Sequence, residues 1–226
     1  MKKQVSGISC QLIKWGRHIF SSLQPPTTNH QPSSGFTLIE LLVVTAIVII
    51  VSTLILANNA RFGGAVILEN LAYDVGLSVR KAQVYGIAVR RFGATDFSSG
   101  YGIHFDITTP SAYVLFADVF PTGTGDGIYE PEASELVESL SMLQGYRMLD
   151  LCATSGGGLA EACGIDTIDI LFKRPEPDAF ISANGVSGVA NPGALHERAR
   201  VILQSPRGDE ISVIVEATGQ IAVQKI

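Results

Sequence analysis

Cysteine, histidine and tryptophan are scarce in this chain: 226 residues carry three Cys, four His and one Trp. Each shortage closes off a class of chemistry. Cys152 and Cys163 have no histidine at ligand spacing, so no zinc site is written here. His104 has Asp106 beside it, and His196 stands among Leu195, Glu197 and Arg198, but no Ser or Cys near either lies in a nucleophile motif. Both read as strand-surface residues. Ser155-Gly156-Gly157-Gly158 lacks the lysine and the strand–helix setting of a phosphate loop. Without a catalytic constellation the chain is not read as an enzyme. Positive charge is also short. Sixteen Lys and Arg face 21 Asp and Glu, against the basic surplus that nonspecific nucleic-acid binding needs. A local basic patch is limited to Arg90-Arg91, or Arg198 with Arg200.

What is abundant is one apolar run. From Phe36 to Ala57 the only charge is Glu40. Those 22 residues as a helix would measure about 33 Å, enough to cross a bilayer's hydrocarbon. The run is rich in Val and Ile, but a lone segment in lipid must satisfy its own backbone, which selects helix. Glu40 is the anomaly. A carboxylate in such a segment costs a few kcal/mol or more and requires a partner. The nearest basic residues, Arg17 and Arg61, lie far off in sequence. Cutting the chain just before Phe36 would create an α-ammonium at the depth of Glu40.

Gly35-Phe36-Thr37-Leu38-Ile39-Glu40, followed by that run, resembles the processing and assembly signal of type IV pilins and type II secretion pseudopilins. The resemblance implies that a prepilin peptidase cuts between Gly35 and Phe36 and methylates the new amine of Phe36. It implies that Glu40 pairs with the N-terminal amine of an adjacent subunit. It also implies partners: other pilin or pseudopilin subunits, and an assembly platform in the bacterial inner membrane. The function expected is a structural subunit of a secretion pseudopilus or a pilus, with protein secretion as the process. The alternatives are a DNA-binding minor pilin acting in DNA uptake and a membrane-anchored β-domain of other function.

Charge placement orients the span. Residues 1–35 hold Lys2, Lys3, Lys14 and Arg17 and no acid, which keeps that end cytoplasmic and exports the chain beyond Ala57. The leader is longer than is usual for the family. Its second half, Gln24 to Ser34, is polar and Pro-rich, fit to be held extended by a protease. Removing it leaves 12 basic against 21 acidic side chains. Cys10 leaves with it, and Cys152 and Cys163 remain. An even pair in an exported domain points to a disulfide rather than two unrelated thiols.

The expected organisation is a leader (1–35), a membrane and assembly helix (36–60), an amphipathic helix (61–90) and a β-rich periplasmic domain (91–226). Asn58 to Gly64 is polar and then Gly-rich, where a hinge is expected. In 65–86, Leu68, Leu71, Val75, Val79 and Ala82 recur at helical spacing, with Glu69, Asn70, Asp74 and Lys81 on the other side. From Ile87 the period changes to two. Strands are expected at 101–107, 112–117 and 168–172, and a meander at 200–204, 210–216 and 220–225. The fold class is therefore α+β, a long N-terminal helix packed on an antiparallel sheet, pilin-like. A strand-rich body with a helix-free ending is most like the H-type minor pseudopilins. The acidic, Gly-rich loop 118–132 offers Asp118, Asp126 and Glu130 as calcium ligands, since calcium stabilises some pseudopilin loops. The competing reading is a solvated turn. No cofactor is otherwise expected.

Overall fold

The computed structural model describes residues 35–88, 90–93, 99–121, 125–157 and 160–226. The leader up to Ser34 and the centre of the acidic loop lie outside them. The chain divides into two compact units, 1–48 and 49–226.

Helix α1 runs from Leu38 to Ile87. Thr37 starts it: its Oγ1 accepts the N–H of Glu40 at 3.2 Å and its carbonyl accepts the N–H of Leu41 at 3.1 Å. Thr-x-x-Glu is thus an N-cap, with the acid in the first turn where the helix dipole favours it. The stretch 58–64 does not interrupt the helix, contrary to the expected hinge. Two interior glycines cost about 1 kcal/mol each relative to alanine.

In the larger unit the expected stripe is the buried one. Leu68, Leu71, Ala72, Val75, Val79 and Ala82 enter the core, meeting Ile103, Phe105, Leu115, Leu151, Ile168, Ile170, Val201 and Val213. Two devices fasten this part of the helix. Buried Gln83 donates from Nε2 to the carbonyls of Pro177 (2.8 Å) and Gly219 (3.1 Å). Gly86 lies so close to the sheet that a Cβ there would sit 2.2 Å from the carbonyl oxygen of Phe172, which admits only glycine.

Among the described residues ten strands follow, all antiparallel: β1 Gly100–Asp106, β2 Ala112–Asp118, β3 Leu136–Ser141, β4 Arg147–Ser155, β5 Glu161–Cys163, β6 Thr167–Phe172, β7 Ala179–Ala183, β8 His196–Gln204, β9 Glu210–Glu216 and β10 Ile221–Lys225. They form one branched sheet. One run is β7-β6-β1-β2-β3, the other β10-β9-β8-β4-β5. A single residue pair, Ile181 with His196, joins β7 to β8. The fold is α+β, with the long apolar helix followed by a curled antiparallel sheet, as the sequence implied.

Four strands, β3, β4, β5 and β7, escape the alternation test. β4 is apolar on both faces near its end, because it is covered on each side, and Leu151, Cys152 and Ala153 are all buried. Ala153 and Thr154 belong to the sheet as well. β5 has only three residues, paired to β4 with Cys163 directly opposite Cys152. The disulfide is present, Cys152 to Cys163, with Cα atoms 4.0 Å apart.

Candidate functional site

The first candidate is the start of α1. The segment Leu38–Leu56 is long and apolar enough to cross a membrane, and none of it is buried within the protein. Phe36, 79% exposed, stands just before it. Gly35 adopts no left-handed conformation, and a Cβ built on it meets nothing within 4 Å. Among the described residues, neither backbone conformation nor crowding calls for glycine at this position. Glu40 is exposed in the first turn, and its backbone N–H is held by Thr37. Hydropathy alone makes Glu40 an anomaly. The capping pattern Thr37-x-x-Glu40 is equally legible: Thr37 holds the backbone N–H of Glu40 and leaves the carboxylate exposed.

The second candidate is the acidic loop after β2. It is not the solvated turn that sequence composition suggests. Asp118 and Glu135 are buried. Glu135 is held by three backbone N–H groups, those of Val119 and Phe120 at 2.9 Å and that of Glu130 at 3.0 Å. Asp118 accepts from the N–H of Asp126 at 3.0 Å. Burial pushes the Asp118 carboxyl up to about 7, the nearby carboxylates of Glu135 and Asp126 adding to the rise and the N–H donors of Gly127 and Asp126 opposing it. Burial also raises Glu130, with Asp126, Glu135 and Asp169 repelling its charge. Among the described residues, the carboxylates of Asp118, Asp126 and Glu130 are not gathered as three ligand oxygens within 4.8 Å of one another. The one cluster of that kind, Asp150 with Cys152 and Cys163, has its two sulfurs committed to the disulfide.

His104 departs furthest from expectation. Its partner is Asp169 on β6, directly opposite in register, and not Asp106. His104 Nδ1 lies 2.7 Å from Asp169 Oδ1, which also accepts the N–H of Tyr129 at 3.2 Å. Asp169 is fully buried, and burial raises its carboxyl despite the histidine. Asp106 instead caps the following turn through Thr108. Through these two bonds Asp169 ties β1, β6 and the acidic loop together. His196, expected on the surface, is half buried, and burial lowers its pKa.

Of the arginines that could make a basic patch, Arg198 pairs with Glu216 at 2.7 Å and Arg200 with Glu161 at 3.0 Å. Arg90 stacks over the Tyr85 ring at 3.7 Å. Arg198 and Arg200 are thus each paired with an acid of the domain.

Against known families, residues 31–56 match the model described as the prokaryotic N-terminal methylation motif. No curated protein and no solved structure matches the chain. The match falls on the Gly35–Glu40 signal and the apolar helix, and it points to a structural subunit anchored by that helix. The β-rich remainder lies outside the match.

Proposed function

We propose that this chain is a minor subunit of the pilin and pseudopilin kind, of the H-type. It is cut between Gly35 and Phe36 by a prepilin peptidase, methylated on the Phe36 amine, and assembled from the inner membrane into a pseudopilus or pilus serving protein secretion. Its partners are the peptidase, neighbouring pilin-type subunits and the assembly platform, and its β-rich domain is extracytoplasmic. The observation that carries the reading is the methylation motif at 31–56 laid over a capped, unburied apolar helix whose first turn holds Glu40.

The mechanism is electrostatic and mechanical. Lipid holds the apolar helix, where the Glu40 charge is costly. Cleavage exposes an ammonium on Phe36, and the Glu40 carboxylate of an incoming subunit is neutralised by that group on its neighbour. The charge pair draws the helix out of lipid into a bundle, where packing replaces acyl chains. N-terminal sequencing of chain purified from its host membrane tests this. Methylated Phe36 as the first residue is expected, and an intact Met1 rejects the reading. Glu40→Gln is expected to leave cleavage intact and reduce incorporation into filaments at least tenfold. Equal incorporation rejects the pairing.

A further inference from the structure

The Cys152–Cys163 bridge lies on the sheet face turned away from α1. Leu151 and Ala153, the neighbours of Cys152 on β4, enter the core, and alternation sends Cys152 to the other side. The two sulfurs differ in access. Cys152 is fully buried, whereas all three residues of β5, Cys163 included, are exposed. β5 pairs with β4 alone, which leaves its outer edge open. An incoming thiolate therefore meets Cys163 Sγ first and makes Cys152 the leaving sulfur.

The surroundings of Cys152 suit a leaving thiolate. Arg200 on β8 stands directly opposite it in register, so the two side chains are neighbours on one face. Arg200 Nη2 meets Glu161 at 3.0 Å, but its Nε is buried and makes no hydrogen bond among the described residues. Thr154, two residues along β4 on the same face, has a buried Oγ1 that is likewise unpartnered. Buried donors without acceptors are costly and rare. A disulfide sulfur is a poor acceptor, and a thiolate would satisfy both donors. The other charged residues that β4, β5 and β8 place on this face are Asp150, Glu161 and Arg198, the last paired with Glu216 at 2.7 Å. Asp150 has a carboxylate oxygen within 4.8 Å of both sulfurs. Its Oδ1 accepts the N–H of Leu151 at 2.8 Å and of Gly164 at 2.9 Å.

We propose that Cys152–Cys163 is an exchange-active disulfide whose substrate is a dithiol. Cys163 takes the incoming thiolate, Arg200 and Thr154 hold Cys152 as the leaving thiolate, and Asp150 is a positioning residue. The first thiolate of the reductant attacks Cys163 Sγ, the S–S bond breaks toward Cys152, and a mixed disulfide forms on Cys163. The second thiol of the reductant then attacks the reductant's own sulfur in that bond and releases Cys163. The reductant is oxidised to its disulfide and loses two electrons and two protons. One proton ends on Cys163 and the other in solvent, while Cys152 stays a thiolate. Opening the bond does not scatter the site. The Gly164 N–H on Asp150 and the Ile165 N–H on the Leu151 carbonyl (3.1 Å) keep the end of β5 against β4, so the sulfurs still face each other and the reverse reaction can close them. None of this depends on the filament reading, since every group lies in the 49–226 unit.

The test treats the full chain, folded in detergent without denaturant, with dithiothreitol or with glutathione, and maps the products by peptide mass. With dithiothreitol the reduction rate should rise in proportion to reductant. With glutathione the trapped adduct should sit on Cys163. The reduced chain should show ultraviolet thiolate absorbance at neutral pH that Cys152→Ser lacks. Arg200→Gln should slow reduction about tenfold and remove that absorbance, and Arg200→Lys should recover most of both. Glu161→Gln breaks the same ion pair but keeps the Arg200 charge, so it should leave rate and absorbance unchanged. A reduction rate that does not respond to reductant concentration, and so waits on unfolding, overturns the proposal. So does a glutathione adduct on Cys152, or slowing by Glu161→Gln equal to that by Arg200→Gln. Should Arg200→Gln fail to fold, the concentration dependence and the adduct position in the unaltered chain still decide.

Discussion

Leu38–Leu56 and Leu68–Ala82 belong to one helix and are both apolar, yet they meet opposite fates. The first buries nothing within the protein, and the second buries a full stripe against the sheet. Composition does not separate them: valine, leucine and alanine serve in both. Periodicity does. The second segment concentrates its core residues on one face and mixes in Glu69, Asp74 and Lys81, whereas the first is apolar all round. A helix apolar on every side has no preferred face for its own domain. It needs a medium, lipid or other helices, that surrounds it. The lesson is that the domain's stability and the chain's placement are written in separable parts of α1.

The sharpest way to break that separation is a matched pair of charges. Val75→Asp should cost about 4 kcal/mol or more, because the carboxylate is buried without a partner. Ile50→Asp should leave the domain's melting temperature in detergent unchanged while abolishing stable membrane insertion. Equal thermal effects of the two would erase the distinction.

Next in size is a pH effect confined to the domain. Asp118 holds its proton up to about 7 in the folded state, far above its unfolded value, so folding favours the protonated form. The stability it contributes is full at acid pH and is lost as pH rises through about 7. Glu130 and Asp169 act in the same direction, and His196, lowered by burial, opposes them at the acid end. Melting temperature should therefore increase as pH falls from about 7 toward about 4, and Asp118→Asn should flatten most of that slope, a change of at most about 4 kcal/mol over the whole window. An unchanged slope in the variant would remove Asp118 from the account.

Opening the disulfide with Cys152→Ser and Cys163→Ser should destabilise the domain by about 2–3 kcal/mol in the loop-entropy view, measured by urea unfolding. The smallest effect belongs to the apolar segment. Thr37→Ala should cost about 1 kcal/mol of helix start, visible as faster amide exchange at Glu40 and silent in the domain's melting curve.

Much of this architecture is legible in the sequence, for identifiable reasons. The buried stripe of α1 obeys a 3.6 period, and β1, β6 and the final meander alternate or stop at turn residues. β4 is hidden because covered faces erase alternation, and β5 because three residues carry no period. Asp169 misleads for a subtler reason. Between Ile168 and Ile170 it looks like the wet side of a strand, yet that side is covered by the acidic loop and His104. Only strand register places His104 opposite it, and register is a property of pairing that a single strand does not announce. The apolar segment and the methylation motif over it are legible in the sequence, since they depend on neighbouring residues alone.

The facing cysteines of β4 and β5 have a practical consequence. Cytosolic reductants keep thiols apart, so the crosslink can close only in chains whose domain has reached an oxidising compartment. Under the proposed export of the domain, alkylating whole cells and counting modified against protected Cys152 would work as a turnstile, tallying how many molecules have been delivered outward.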